Sequence, residues 1–206
     1  MISSKILQIN VNRNAITTEN VLNLAIELNI SILAIQEPKI YNLDNKNTTR
    51  SVMHASFSQI LPNYGLERPR VLYYISKSLR ANISRDSPLD PDCIVIDILG
   101  LRLVNVYNNS SINQPNSTYT INREFFPNLI DKNTILLGDF NIHHPWWDPL
   151  APKSTSADYL VDLIQTKELV LLNKPGKGTF YRPHMSYSTV IDLTLVYSAI
   201  YNKVRE

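Results

Sequence analysis

The chain has 206 residues, 44% of them hydrophobic and 18% charged, with a formal charge of +2 from 20 basic and 18 acidic side chains. That balance suits a chain with one sizeable core and argues against disorder, and it permits a polyanionic partner without announcing one. The single cysteine, Cys93, excludes an internal disulfide and fits a reducing compartment, and no apolar run approaches the length of a membrane helix.

Residues 5–12 (KILQINVN) alternate as a strand, with Leu7, Ile9 and Val11 on one face and Gln8, Asn10 and Asn12 on the other. An N-terminus of this kind lacks the apolar core of a signal peptide. Residues 17–29 carry a helical period, capped by Thr17 or Thr18 and striped by Val21, Leu24, Ala25 and Leu28. A short buried strand, 31–37, ends at Glu37, where Pro38 stops it. A polar loop follows, then strands over 70–76, 93–99 and 101–107, the last two joined by a hairpin at Gly100. A loop rich in Ser, Asn and Pro over 108–118 leads to a helix near 120–131, disturbed by Pro127. Residues 134–138 form a buried strand. A helix over 156–167, capped by Ser156 or Thr155, faces Leu160, Leu163 and Ile164 inward. Strands over 169–173, 178–182 and 189–197 complete the layout. Hairpins mixed with strand–helix–strand crossovers predict an α/β fold: two mixed sheets packed face to face with helices outside, in one domain over 1–206.

Polar groups gather at the strand ends: Asn10 and Asn12, Glu37, Tyr107, then Asp139 and Asn141 in GDFNIHHPWWDP. Asp192 interrupts TVIDLTLVY, and a buried carboxylate there needs a partner. In open α/β sheets the crevice beyond the strand ends is where ligands bind. Carboxylates among neutral amides and a phenol suit Mg²⁺ and phosphate oxygens. Each residue alone has a plainer explanation: an Asp or Asn after a strand commonly closes a turn on its own backbone, and a strand-end Tyr commonly packs. His143 and His144 lack the spacing of a zinc site. Trp146 and Trp147 read as loop anchors, although a Trp also stacks on bases.

The ordered set QIN, QEP, NVY, GDFN, GTF and IDL resembles the endonuclease/exonuclease/phosphatase superfamily. The phrases AIQEP, RPRVLYYISK, GLRLVNVYN, LVLLNKPGKGTFYRP and STVIDLTL are most similar to the endonuclease domain of non-LTR retrotransposons, fungal ones in particular. The resemblance runs from Lys5 to Glu206 and implies a four-layer α/β sandwich. It implies a Mg²⁺-dependent (or Mn²⁺-dependent) DNA endonuclease that nicks target DNA to prime reverse transcription. The implied partners are DNA and a reverse transcriptase domain of the same polyprotein, in the nucleus, without a membrane.

On this resemblance Asp139 orients or deprotonates water, Asn141 holds water or the scissile phosphate, and Glu37 binds the metal with Asn10 adjacent. Asn12 supports Asn10, and Tyr107 donates to the phosphate. Asp192 orients a histidine near the C-terminus, Thr179 and Thr189 contact DNA or buttress the site, and His144 belongs to the loop beside the DNA. Arg13, Arg68, Arg70 and Arg182 are candidate phosphate contacts. The family ends in a Ser-Asp-His loop and a last strand, and no such triplet occurs in this chain. The resemblance therefore implies a C-terminally truncated copy with Asp192 unpartnered, a sheet edge exposed and catalysis weakened. The rival functions are an inactive remnant and an abasic-site nuclease or phosphoesterase of the same superfamily.

Overall fold

The computed structural model describes residues 4–43, 48–62, 68–109 and 119–204. The loop expected over 108–118 lies outside them from residue 110 on, as do the last two residues of the chain.

Strand β1 (Lys5–Asn10) leads into helix α1 (Ala15–Glu27) and returns as β2 (Ile30–Gln36), parallel to β1. Asn14 caps α1, its side chain accepting from the Thr17 N–H at 3.0 Å. Thr17 and Thr18 therefore lie inside the helix, not at its start. The buried stripe is Thr18, Val21, Leu22 and Ala25, whereas Leu24 and Leu28 are largely exposed. The face turned to the sheet is thus centred on Leu22 and Ala25, with Leu22 in the core. A fully buried Leu side chain contributes about 1.5–3 kcal/mol over an exposed one.

The expected polar loop after Glu37 holds three short strands, β3 (Tyr41–Leu43), β4 (Thr48–Arg50) and β5 (Phe57–Ile60). Among the described residues β3 and β4 pair with each other alone, while β5 joins β6 (Val71–Ser76). After β7 (Asn82–Ile83) come β8 (Cys93–Ile98) and β9 (Leu101–Tyr107), antiparallel as expected. Their turn is the pair Leu99–Gly100, with φ of 54° and 75°. Two left-handed residues match the twist of a two-residue hairpin.

The helix expected over 120–131 is absent. Two separate 3₁₀ turns, Thr120–Asn122 and Phe126–Leu129, stand in its place, because Pro127 cannot donate and breaks the segment. β10 (Thr134–Asp139) follows, then α2 (Ala157–Thr166), which buries Leu160, Leu163 and Ile164 as expected; Ser156 precedes it without making a side-chain cap bond. The sheet closes with β11 (Leu169–Leu171) and β12 (Asp192–Tyr197). Residues 178–182 are no strand: Phe180 and Thr189 form one isolated antiparallel bridge. β12 begins at Asp192, so that residue opens its strand and does not interrupt it.

The strands order as β1-β2-β6-β5 in one mixed sheet and β11-β12-β10-β9-β8-β7 in the other. Three apolar clusters separate four layers. Leu22 and Ala25 of α1 pack on Leu33, Ile35, Leu72 and Tyr74 of the first sheet. Ile32, Tyr73 and Ile75 meet Ile94, Ile96, Leu103 and Leu137 between the sheets. Leu136, Leu193 and Leu195 meet Leu160, Leu163 and Ile164 of α2 on the far side. This is the expected α/β sandwich with mixed sheets face to face. One polar pair crosses its centre: buried Gln36 donates through Nε2 to Asn105 Oδ1 at 2.6 Å, and Asn105 Nδ2 donates to the Leu72 and Ile35 carbonyls at 3.0 and 3.2 Å. The Asn105 amide is bonded at both ends, whereas Gln36 Oε1 is buried without a partner among the described residues, so the pair ties the two sheets together through the Gln36 nitrogen.

Candidate active site

Strand register brings the polar ends together. In the first sheet Asn10 sits beside Gln36, next to Glu37. In the second, Asp139 has Tyr107 on one side and Asp192 on the other. The two parallel pairs put their C-terminal ends on the same side as the start of antiparallel β12. Asn10 joins the sheets, its Nδ2 donating to Glu37 Oε2 at 3.2 Å and to Asp139 Oδ2 at 2.9 Å. Asn10 thus bonds a carboxylate 129 positions away in the chain.

The backbone at this rim is unusual. Asn12, Arg13, Glu37 and Asn141 all have left-handed φ, between 47° and 56°. Asn tolerates this conformation, but Arg and Glu do so at a cost, and Pro38 restricts Glu37 further. The Glu37 turn is held by its N–H on the Arg70 carbonyl at 2.8 Å and by the Arg13 N–H on its own carbonyl at 2.6 Å. Backbone strain of this kind clusters at active sites and ligand clamps. Gly138 has a separate constraint: a Cβ there would lie 1.9 Å from the Val106 carbonyl oxygen. The glycine of GDFN lets β9 and β10 close up so that Tyr107 and Asp139 adjoin.

Asn10 Oδ1 accepts from the Asn12 N–H at 2.8 Å, so Asn12 orients the bridging amide. The Asn141 N–H donates to Asp139 Oδ1 at 3.1 Å, and its side-chain amide donates to the Asn108 carbonyl at 3.1 Å. Thr179 Oγ1 accepts from the Ile191 and Asp192 N–H groups at 3.2 and 3.1 Å, anchoring the start of β12. Thr189 is buried and makes the backbone bridge to Phe180. His144 sets its ring against Trp146 and Trp147, centroids 5.4 and 5.1 Å away. Trp147 is fully buried and donates through Nε1 to the Ile142 carbonyl at 2.9 Å, the expected loop anchor, whereas Trp146 is half exposed.

Electrostatics set these carboxyls apart. Burial, then the Asp192 charge, pushes Asp139 up to about 7, against hydrogen bonds from Asn10 and Asn141. Burial pushes Asp192 up to about 6, relieved partly by the Thr179 and Gln8 side chains. Its Oδ1 nonetheless has no hydrogen-bond partner among the described residues. The Tyr107 phenol is pushed to about 12 by burial and by the Glu37 and Asp139 charges. Arg13 pairs with Glu37, at 3.1 Å from its Oε1.

Glu37 and Asp139 joined through Asn10, with an unpartnered Asp192 oxygen nearby, are the donor chemistry a divalent cation would use. Mg²⁺ takes one or two carboxylates and fills its shell with water and phosphate oxygens. Among the described residues no group of three or more His, Cys, Asp or Glu is placed to hold a metal ion together, so a cation here would rest on one or two carboxylates. Glu37 would be the carboxylate to hold it; Asn10 as it stands presents its amide nitrogen to the carboxylates and engages its oxygen with Asn12.

Other partners carry no local pattern that sets them apart in the sequence. Buried Asn108 donates to the Phe140 carbonyl at 2.8 Å and receives the Ile121 N–H, tying β9 to the loop after β10. His143 Nδ1 meets buried Asp148 at 2.6 Å inside the HHPWWD loop. Arg70, a candidate phosphate contact, pairs with fully buried Asp92.

Residues 101–206 match the profile of endonuclease-reverse transcriptases. No protein of curated function matches in sequence. Among solved structures, the endonuclease domain of TRAS1, a telomere-specific non-LTR retrotransposon, is 18% identical with a TM-score of 0.75, covering 97% of this chain and 88% of that one. The 3'-5' exonuclease NExo from Neisseria meningitidis is 18% identical with a TM-score of 0.67, covering 98% and 90%. An AP endonuclease from Leishmania major is 12% identical with a TM-score of 0.63, covering 96% and 80%. These likenesses are of fold, and the sequence match carries the kinship: the chain belongs to the endonuclease-reverse transcriptase family, within the endonuclease/exonuclease/phosphatase superfamily.

Proposed function

We propose that the domain is a Mg²⁺-dependent DNA endonuclease of a retrotransposon polyprotein. It nicks one strand of target DNA in the nucleus, and the reverse transcriptase domain of the same polyprotein extends the new end. The observation that carries this reading is the Asn10 amide shared between Glu37 and Asp139, one from each sheet.

Mg²⁺ held by Glu37 would neutralise the phosphate and lower the cost of charge building on it. Asp139, pushed to about 7, is poised to take a proton from the attacking water near neutral pH. Asn141, locked to Asp139 and Asn108, orients that water or the phosphate. Tyr107, pushed to about 12, keeps its proton and donates it in a hydrogen bond to a phosphate oxygen. Asp192 raises Asp139 and so tunes the base.

The test is nicking of supercoiled plasmid with Mg²⁺ against EDTA. Asp139→Asn and Glu37→Ala should each remove activity while the fold, read by circular dichroism, is kept. Metal-dependent nicking that survives Asp139→Asn would refute the assignment. The likeness to AP endonucleases favours a second reading, incision at abasic sites. Faster cleavage of an abasic duplex than of an intact one would select it.

A further inference from the structure

We propose that Arg70 is a positioning residue for Tyr107: its guanidinium, locked to Asp92 and laid over the phenol ring, holds Tyr107 in register with Glu37. The proposal rests on the reading of Tyr107 as a donor to phosphate.

Arg70 stands where the sheets meet at the rim of the site. It immediately precedes β6 of the first sheet, and Asp92 immediately precedes β8 of the second. Its carbonyl accepts from the Glu37 N–H at 2.8 Å, and its own N–H donates to the Pro91 carbonyl at 2.7 Å. The Tyr107 N–H donates to the Asp92 carbonyl at 2.8 Å. The main chain around Arg70 therefore fixes the metal-side carboxylate and the Asp92 segment together. The side chain completes the link, its guanidinium paired with Asp92 and its carbon centre 5.6 Å from the centroid of the Tyr107 ring.

A Tyr at a strand end has two free torsions, and Tyr107 is only partly buried. A planar guanidinium can grip a carboxylate along one edge and cover a ring with its face, which an ammonium cannot do. Asp92 is not left alone when Arg70 changes. Arg123 Nη2 lies 3.6 Å from its carboxylate, and Thr120 Oγ1, which also donates to the Tyr107 carbonyl at 3.2 Å, donates to it at 3.4 Å. The fold should survive conservative substitution of Arg70.

Arg70→Lys keeps the charge and loses the fork. In plasmid nicking it should lower kcat roughly 10- to 100-fold, the range a misplaced reacting group costs, with KM changed less than about threefold. In a Tyr107→Phe background the same substitution should cost less than about twofold, because the phenol it positions is gone. Equal losses in both backgrounds would overturn the proposal. A second readout needs no turnover: 3-fluorotyrosine at position 107, followed by fluorine NMR. Arg70→Lys should shift or broaden that resonance, and an unchanged spectrum would overturn the proposal by itself. A wild-type chain that never nicks DNA defeats the nuclease reading, while the fluorine spectrum still decides whether Arg70 holds Tyr107.

Discussion

Asp139 and Asp192 face each other across the β10–β12 ladder, both carboxyls held above their ordinary range, at about 7 and about 6. Both are protonated in the folded chain at a pH where the unfolded chain, near 3.9, has released its protons. Their contribution to stability is therefore full below about pH 4, declines as pH rises through 6 and 7, and is flat above. Metal-free protein should lose stability over that window, on the order of 2 kcal/mol for Asp192 after discounting its partial exposure. Asp192→Asn should flatten the curve, and Mg²⁺ at pH 7.5 should recover part of the loss in the parent chain. Urea unfolding in EDTA between pH 4 and 8 measures this. Parallel curves for the two proteins would show that Asp192 carries no such penalty.

Gly138→Ala tests the closest backbone approach in the site. The added methyl would meet the Val106 carbonyl oxygen at 1.9 Å and its carbon at 2.8 Å, and φ there is 153°. Neither β9 nor β10 can retreat, since each is paired on its other side by β8 or β12. The expected cost is about 3 kcal/mol or more, roughly 10 °C in Tm for a chain of this size. Gly100→Ala, also left-handed but with nothing within 4 Å of the added carbon, should cost only about 1 kcal/mol. Equal melting losses would remove the steric argument.

The candidate site of this fold is legible in the sequence because its residues are short motifs at strand ends. QIN, QEP, NVY and GDFN each carry a polar residue where an apolar run stops, and register alone then gathers them. Asp192 was misplaced because Val190 and Ile191 extend the apolar pattern without joining the ladder; Thr179 takes the N–H of Ile191 instead. The strands β3, β4 and β7 are two or three residues long, too short for alternation to register. GTFYR has strand composition, yet Pro183 and an exposed setting leave it one bridge. Arg70 with Asp92, Gln36 with Asn105 and His143 with Asp148 are choices of the tertiary structure, and no local pattern distinguishes those residues from solvated neighbours. The left-handed Glu37 runs against intrinsic preference and is imposed by the Arg70 and Arg13 backbone bonds.

Cys93 should behave as an inert thiol. It is fully buried, and burial together with the neighbouring Asp92 charge pushes it well above the usual range. The nucleophile in labelling chemistry is the thiolate, so both access and ionisation are denied in the folded chain. An aromatic disulfide reagent at pH 8 should leave the native protein unlabelled for hours and react within seconds in 6 M guanidinium. Intermediate urea should give labelling rates that track the opening equilibrium. Fast labelling of native protein would mean that the β8–β9 hairpin opens locally.

Duplex binding should be weak and steeply dependent on salt. A net charge of +2 supplies no general attraction, so affinity has to come from local cations that displace counterions from phosphates. Between Glu168 and Asp192 the chain contains no acid, and it exposes Lys174, Lys177, Arg182 and His184 beside Tyr181 and Tyr187. Arg182 also lies over the Phe180 ring, 5.1 Å from its centroid, on the segment that anchors Asp192 through Thr179. Aromatics among cations next to the carboxylates are the composition that backbone contact and base stacking require. Fluorescence anisotropy with a short duplex, using Asp139→Asn in EDTA to prevent cleavage, should give a negative slope of log K against log salt. Lys174→Ala, Lys177→Ala and Arg182→Ala should each reduce that slope by about one where the cation meets a phosphate. Glu19→Ala, an acid on α1 away from the strand ends, should leave it unchanged. A slope unaffected by all three cation deletions would move the DNA path off this segment and towards the opposite rim, where Arg13, Lys39 and Arg68 surround Glu37.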